Sequence, residues 1–239
     1  MKLNYILNGN KDETVLFLHG WGADLNSFNF FSNQLKTNYQ TLQVDFCGFG
    51  KSEKLDFVFT VFDYACEIYK LLRQLNINKV SIVAHSFGVR VAILLSTIFN
   101  LKINKLVFIG GAGIKPRFNI IKTFKIYKYK TLKTLNKLKI FHFNLNKFGS
   151  DDYKNLNETM KKTFVNVVNF DEKHFLKLIN AKTLLIWGSA DHETPLYMGK
   201  TMHKKIRKSK LVVVKNAGHF CFLTHANFVN FQIENFLEN

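Results

Sequence analysis

An open, mostly parallel, doubly wound α/β sheet is the fold class predicted for this chain of 239 residues, and three observations predict it. Short apolar runs alternate with helical patterns along most of the length. The runs are continuous rather than alternating, which suits parallel strands covered on both faces. One run ends in a tight turn around a serine and passes directly into a second apolar segment of helical length. Repeated strand and helix units with short links give a layered sheet of this kind.

The elements follow in chain order. Thr14-Val-Leu-Phe-Leu18 and Thr41-Leu-Gln-Val44 read as the first two strands. Val61, Ala65, Ile68, Leu72 and Leu75 recur at helical spacing, and Thr60 with Asp63 three residues on gives an N-terminal capping box. Val80-Ser-Ile-Val83 is the next strand and Val89–Leu95 a buried helix. Lys105-Leu-Val-Phe-Ile109 is a strand, as are Thr183-Leu-Leu-Ile-Trp187 and Leu211-Val-Val-Val214. Thr194-Pro195 opens a helix, with proline at its first position. Phe228, Val229, Ile233, Phe236 and Leu237 close the chain with another. Between 115 and 175 helical patterns occur without a strand pair. The expected division is a core of 1–114 and 176–239 with a helical insertion of 115–175 between two core strands.

Composition narrows the function classes. Hydrophobic residues make up 47% of the chain, ample for one large core, and no stretch approaches the roughly 20 apolar residues of a membrane span. Met1 to Asn10 has no apolar signal core, so an uncleaved, cytoplasmic protein is expected. The three cysteines, Cys47, Cys66 and Cys221, are odd in number and far apart, which fits neither a disulfide framework nor a zinc site. No metal or organic cofactor is implied. The net charge is +17, but Lys, Asn, Ile and Phe are all abundant and only two prolines occur. An AT-rich genome produces that joint skew, and no nucleic-acid motif accompanies the charge, so no nucleic-acid partner is expected.

The chemistry centres on Ala84-His85-Ser86-Phe87-Gly88. A serine between two small residues, on a sharp strand-to-helix turn, is a nucleophile elbow. The turn leaves almost no room for side chains two residues before and two after the serine; Gly88 meets this fully and Ala84 nearly so. It pushes the hydroxyl out of the sheet and leaves the Phe87 N–H at a helix start, able to donate to an anion. A serine hydroxyl needs a base, and the base needs a carboxylate to hold its tautomer. Chemistry on such sheets collects beyond the carboxyl ends of the strands. Asp191 follows the Thr183–Trp187 strand and His219 follows the Leu211–Val214 strand, in the order expected on this sheet. Glu193 is a rival to Asp191, one step closer to a helix start. His192, His203 and His225 are less well placed. His19-Gly20-Trp21-Gly22 follows the first strand, and its glycines let the loop turn its backbone toward the site. The main-chain N–H groups of Trp21 and Phe87 are therefore the two expected oxyanion donors, with His19, Gly20, Gly22, His85 and Gly88 supporting them.

With these residues in place the chain resembles the α/β-hydrolase family over nearly its whole length. The matching motifs are His19-Gly-Trp-Gly22, Asp45-Phe-Cys-Gly-Phe-Gly-Lys-Ser52, Ala84-His-Ser-Phe-Gly88, Trp187-Gly-Ser-Ala-Asp191 and Asn216-Ala-Gly-His219. The resemblance implies a serine hydrolase core with a lid where 115–175 falls, similar to small intracellular esterases and C–C bond hydrolases. The departures are Ala84 in place of glycine and a short, lysine-rich lid.

Two motifs lead elsewhere and are set aside. Gly50-Lys51-Ser52 ends like a phosphate-binding loop, but that loop needs glycine where Asp45 stands. Cys221 has no elbow. Three functions remain: hydrolysis of a small or medium-length ester or acyl substrate, cleavage of a carbon–carbon bond in a dienoic or keto acid by the same triad, and non-catalytic binding. The last would be signalled by a lost triad member, and none is lost. From Lys115 to Lys147 there are ten Lys or Arg residues and no acid, interleaved with Phe118, Ile121, Phe124, Leu132, Leu135 and Leu138. That pattern predicts an amphipathic helix pair whose basic face either is simply solvated or recruits an anionic partner or membrane surface.

Overall fold

The computed structural model describes residues 1–99, 101–115 and 156–239. Seven strands form one sheet in the order β1-β3-β2-β4-β5-β6-β7. They are β1 Tyr5–Asn8, β2 Thr14–Leu18, β3 Gln40–Val44, β4 Lys79–His85, β5 Lys102–Ile109, β6 Lys182–Gly188 and β7 Ser209–Val214. All six predicted strands are present, with ends extended by up to three residues. All are parallel to their neighbours except β1, which runs antiparallel to β3 at the edge. The sequence reading missed β1. It has four residues, all exposed, so no burial pattern marks it.

The helices are α1 Asn29–Leu35, α2 Val61–Gln74, α3 Phe87–Thr97, α4 Glu158–Asn169, α5 Leu196–Lys205, α6 Cys221–Thr224 and α7 Ala226–Glu238. Alternate strand residues feed two separate cores. Leu16, Leu18, Ile82, Leu185 and Trp187 face residues of α2, α3 and α5, whereas Val15, Phe17, Val83, Leu184 and Ile186 face α1, α6 and α7. Both faces of the sheet are therefore covered, which is why its strands read as unbroken apolar runs. α2 starts at the expected capping box: the Thr60 side chain accepts from the Asp63 N–H while the Asp63 carboxylate accepts from the Thr60 N–H. The start of α5 needs a correction of one residue. Pro195 is extended (φ −54°, ψ 147°) and flanks a helix that begins at Leu196. The Thr194 side chain is engaged elsewhere, as described below, and does not cap it.

Of the insertion expected at 115–175, the basic stretch beyond Lys115 lies outside the described residues. Its last part is α4, whose Met160, Thr163 and Val167 are buried. Thr163 Oγ1 accepts from the Phe59 N–H at 3.0 Å. Among the described residues no helix is long and apolar enough to cross a membrane.

Register places the site. Leu18 pairs with Ala84, His85 with Ile109, and Ile109 with Ile186. The loops leaving β2, β4, β5 and β6 therefore emerge side by side. The chain moves outward from β2 to β3 and then crosses to β4 on the other side of β2. The first helix after β2 lies on one face and the helix after β4 on the other, which opens a crevice between their loops.

Candidate active site

Ser86 stands at the mouth of that crevice. Its backbone is at φ 50°, ψ −110°, a conformation L-residues rarely adopt. The strain is held from three sides: the Ser86 N–H donates to Ile109 O at 3.0 Å, and its carbonyl accepts from the Val89 and Ala112 N–H groups at 3.1 and 3.0 Å. Gly88 is required by close approach. A Cβ there would stand 2.3 Å from Leu18 O and 2.8 Å from His19 O, so only glycine lets α3 leave the sheet this tightly. Ala84 is fully buried in the same core as Leu16 and Ile82, which gives its methyl a place.

The two expected partners meet. His219 Nδ1 is 2.9 Å from Asp191 Oδ2, and both side chains are almost fully buried. Asp191 also accepts through Oδ1 from the Glu193 and Thr194 N–H groups, each at 2.9 Å. Burial by itself would raise the Asp191 pKa. The hydrogen bond and charge of His219, with the two bonds from Thr194, outweigh it and hold the carboxyl below its ordinary value. An ionised carboxylate only accepts, so the His219 proton sits on Nδ1 and Nε2 is left bare.

Thr194 is a part of this cluster that the sequence reading did not find. Its hydroxyl is 2.9 Å from both Gly110 O and Asp191 Oδ2, and 3.2 Å from His219 Nδ1. With one proton it donates to only one of the two oxygens at a time. The available signal was its spacing, three residues after the acid, where a turn capped by Asp191 returns the chain. Glu193 is placed differently from its expected rival role. Its Oε2 lies 3.5 Å from His219 Nε2, on the opposite edge of the ring from Asp191. His192, His203 and His225 are exposed.

The loop after β2 brings up the second expected donor. Trp21 and Phe87 pack ring to ring at 5.4 Å, and neither main-chain N–H has a protein acceptor among the described residues. His19 fastens this loop. Its Nε2 accepts from the Phe46 N–H at 3.1 Å, so the ring proton lies on Nδ1, 2.7 Å from Gly20 O. Burial depresses the His19 pKa and keeps the ring neutral. Gly20 approaches the elbow closely: a Cβ there would meet His85 Nδ1 at 2.8 Å and the Ser86 Cβ at 3.5 Å. Gly22 completes the turn at φ 75°. His85 links elbow and base. Its Nε2 donates to His219 O at 3.2 Å, and the two rings lie 4.7 Å apart. Burial, reinforced by the neighbouring His219, pushes the His85 pKa down to about 3.

The structure also accounts for the motifs set aside. The Asp45 carboxylate accepts from the Leu25 N–H, the Asn4 side chain and the Lys51 N–H at 2.7 to 2.8 Å. A Cβ on Gly50 would fall 2.2 Å from it, so Asp45 fills the space a phosphate would need. Cys221 is buried, with its thiol pushed up to about 11 by that burial, and it is no nucleophile at neutral pH. A second unforeseen pair lies behind α3. Arg90 donates to Glu172 Oε2 at 3.0 Å and to Phe170 O at 2.6 Å, and the Glu172 side chain is 0% exposed. The Glu172 N–H donates to Gly113 O at 2.8 Å, which ties the return of the insertion to its point of departure.

A model of the alpha/beta hydrolase fold matches residues 13–148, and the chain belongs to that family. A second model, for TAP-like protein, matches residues 163–239. The chain is 26% identical over 262 residues to 2-hydroxy-6-oxononadienedioate/2-hydroxy-6-oxononatrienedioate hydrolase 1 of Pseudomonas putida, with 99% of this chain and 92% of that protein covered. Among solved structures it is similar to an esterase from Exiguobacterium antarcticum, at a TM-score of 0.77 and 22% identity over 99% of this chain and 95% of the other. It is likewise similar to a meta-cleavage product hydrolase from Pseudomonas fluorescens IP01, at a TM-score of 0.76 and 18% identity over 99% and 94%. These two likenesses bear on the fold. Family membership and the sequence relative support hydrolase activity.

Proposed function

We propose that the chain is a serine hydrolase that cleaves carboxylic esters of small or medium acyl length through Ser86, His219 and Asp191. The observation that carries this reading is the 2.9 Å contact from His219 Nδ1 to Asp191 Oδ2, at the same edge of the sheet as a serine on a strained elbow. In the reaction His219 Nε2 takes the hydroxyl proton as Ser86 Oγ attacks the ester carbonyl. The negative oxygen that forms is met by the unpartnered N–H groups of Trp21 and Phe87; one such donor contributes about 3–4 kcal/mol to the transition state. The C–O bond then breaks, and His219 returns the proton to the departing alkoxide. Water, deprotonated by His219, attacks the acyl-serine, and Ser86 recovers its proton as the acid leaves. Thr194 and the Glu193 N–H keep Asp191 in place throughout.

Cleavage of a carbon–carbon bond by the same residues is the second reading. The relative from Pseudomonas putida, matched along almost the whole chain, favours it. Turnover of aryl esters of graded acyl length, measured beside a dienoic keto acid, separates the two. The ester reading expects Ser86-dependent hydrolysis of the esters at least about a hundredfold above that of the keto acid. The reverse order assigns the chain to C–C cleavage.

A further inference from the structure

We propose that Glu193 sets the charge specificity of this site, selecting against substrates with an anionic group beside the bond that breaks. The inference rests on the serine hydrolase reading and deepens it to a substrate class.

Glu193 Oε2 lies 3.5 Å from His219 Nε2, the nitrogen that would exchange protons with the leaving group. Its side chain is 60% exposed, so the carboxylate stands open to solvent beside the base. The main chain beneath it is fixed, because the Glu193 N–H donates to Asp191 Oδ1 at 2.9 Å. The same turn that orients the base therefore presents the charge. Among the described residues Glu193 has no Lys or Arg partner, in a chain with 34 basic residues and 17 acidic ones. Among the described residues, then, no cation neutralises the carboxylate held at the nitrogen where a leaving group must come. Asp191 cannot act in this way, since its charge is buried and saturated with hydrogen bonds.

The consequence is local. A net charge of +17 draws anions toward the molecule as a whole, but a substrate carboxylate within about 5 Å of Nε2 also meets the Glu193 carboxylate. Because Glu193 Oε2 is itself 3.5 Å from Nε2, the two carboxylates come within about 8 Å of each other, and in a partly exposed site their repulsion lowers the rate for the anion by about tenfold. Neutral leaving groups escape this penalty, and cationic ones are favoured.

The test uses the full chain and two nearly isosteric acetate esters, 3-acetoxybenzamide (neutral) and 3-acetoxybenzoate (anionic). The readout is the ratio of kcat/KM for the anion to that for the neutral ester. Glu193→Gln is expected to raise the ratio about tenfold at low salt, and Glu193→Lys further. Both gains should shrink as ionic strength rises and the Debye length falls below about 8 Å. Glu193→Asp should keep the wild-type preference for the neutral ester. A ratio within twofold of wild type in both Gln and Lys variants, with hydrolysis still abolished by Ser86→Ala, overturns the role of Glu193 alone. Hydrolysis that persists in Ser86→Ala overturns the hydrolase reading and this inference with it.

Discussion

His219 Nδ1 and Asp191 Oδ2 lie 2.9 Å apart although 28 residues separate them in the chain. The contact exists because β6 and β7 are adjacent and parallel, so the loops that follow them leave the same edge of the sheet. Asp191→Asn keeps the size of the side chain and presents an NH2 group where the imidazole now finds an acceptor. The base then loses its tautomer. In a Ser-His-Asp protease that exchange lowers turnover about ten-thousand-fold. A fall in kcat of at least about a hundredfold is expected here, with the fold unchanged by circular dichroism. A larger loss from Glu193→Gln would show that Glu193, and not Asp191, is the carboxylate that serves His219.

His85 gives stability a pH dependence of predictable sign. Burial lowers its pKa from 6.5 to about 3. The unfolded chain takes up a proton below pH 6.5 that the folded chain refuses until about pH 3, so this group's contribution to stability is complete above 6.5 and drains away as pH falls. The urea midpoint of wild type should drop across that window more steeply than that of His85→Gln. Parallel curves would show that the ring charges in the fold without penalty.

Arg90 and Glu172 form a buried pair that reaches across 82 residues. Arg90→Met leaves a carboxylate buried with no compensating cation and should cost about 3–5 kcal/mol. The double variant Arg90→Met, Glu172→Met removes both charges and should recover most of that loss. Denaturant titration of the three proteins checks this. Equal stabilities for Arg90→Met and the double variant would mean that Glu172, left without its cation, is buried at no cost.

Much of this architecture was legible in the sequence because local chemistry dictates it. The six core strands announce themselves as apolar runs, and the elbow demands Gly88 for a reason visible in the pentapeptide. Position after strands singles out Ser86, Asp191 and His219, and the contact between Asp191 and His219 is found. What escaped depends on distance or exposure. β1 is a short, exposed edge with no burial period. Arg90 and Glu172 find each other only once α3 and the return of the insertion are packed. Thr194 reads in the sequence only as the residue before a helix-opening proline, and the contact with Gly110 O that draws its hydroxyl inward spans 84 residues. Glu193 was seen as a carboxylate near the right place, but which edge of the imidazole it would face depends on the turn that Asp191 closes.

Covalent capture of Ser86 tests the central claim most directly. The wild-type chain, treated with a fluorophosphonate probe and analysed by intact mass and peptide mapping, should gain one adduct, located on Ser86. Ser86→Ala should gain none, and Asp191→Asn should label far more slowly. An adduct of equal yield on Ser86→Ala, or one mapped to another residue in wild type, would contradict the assignment of Ser86 as the nucleophile.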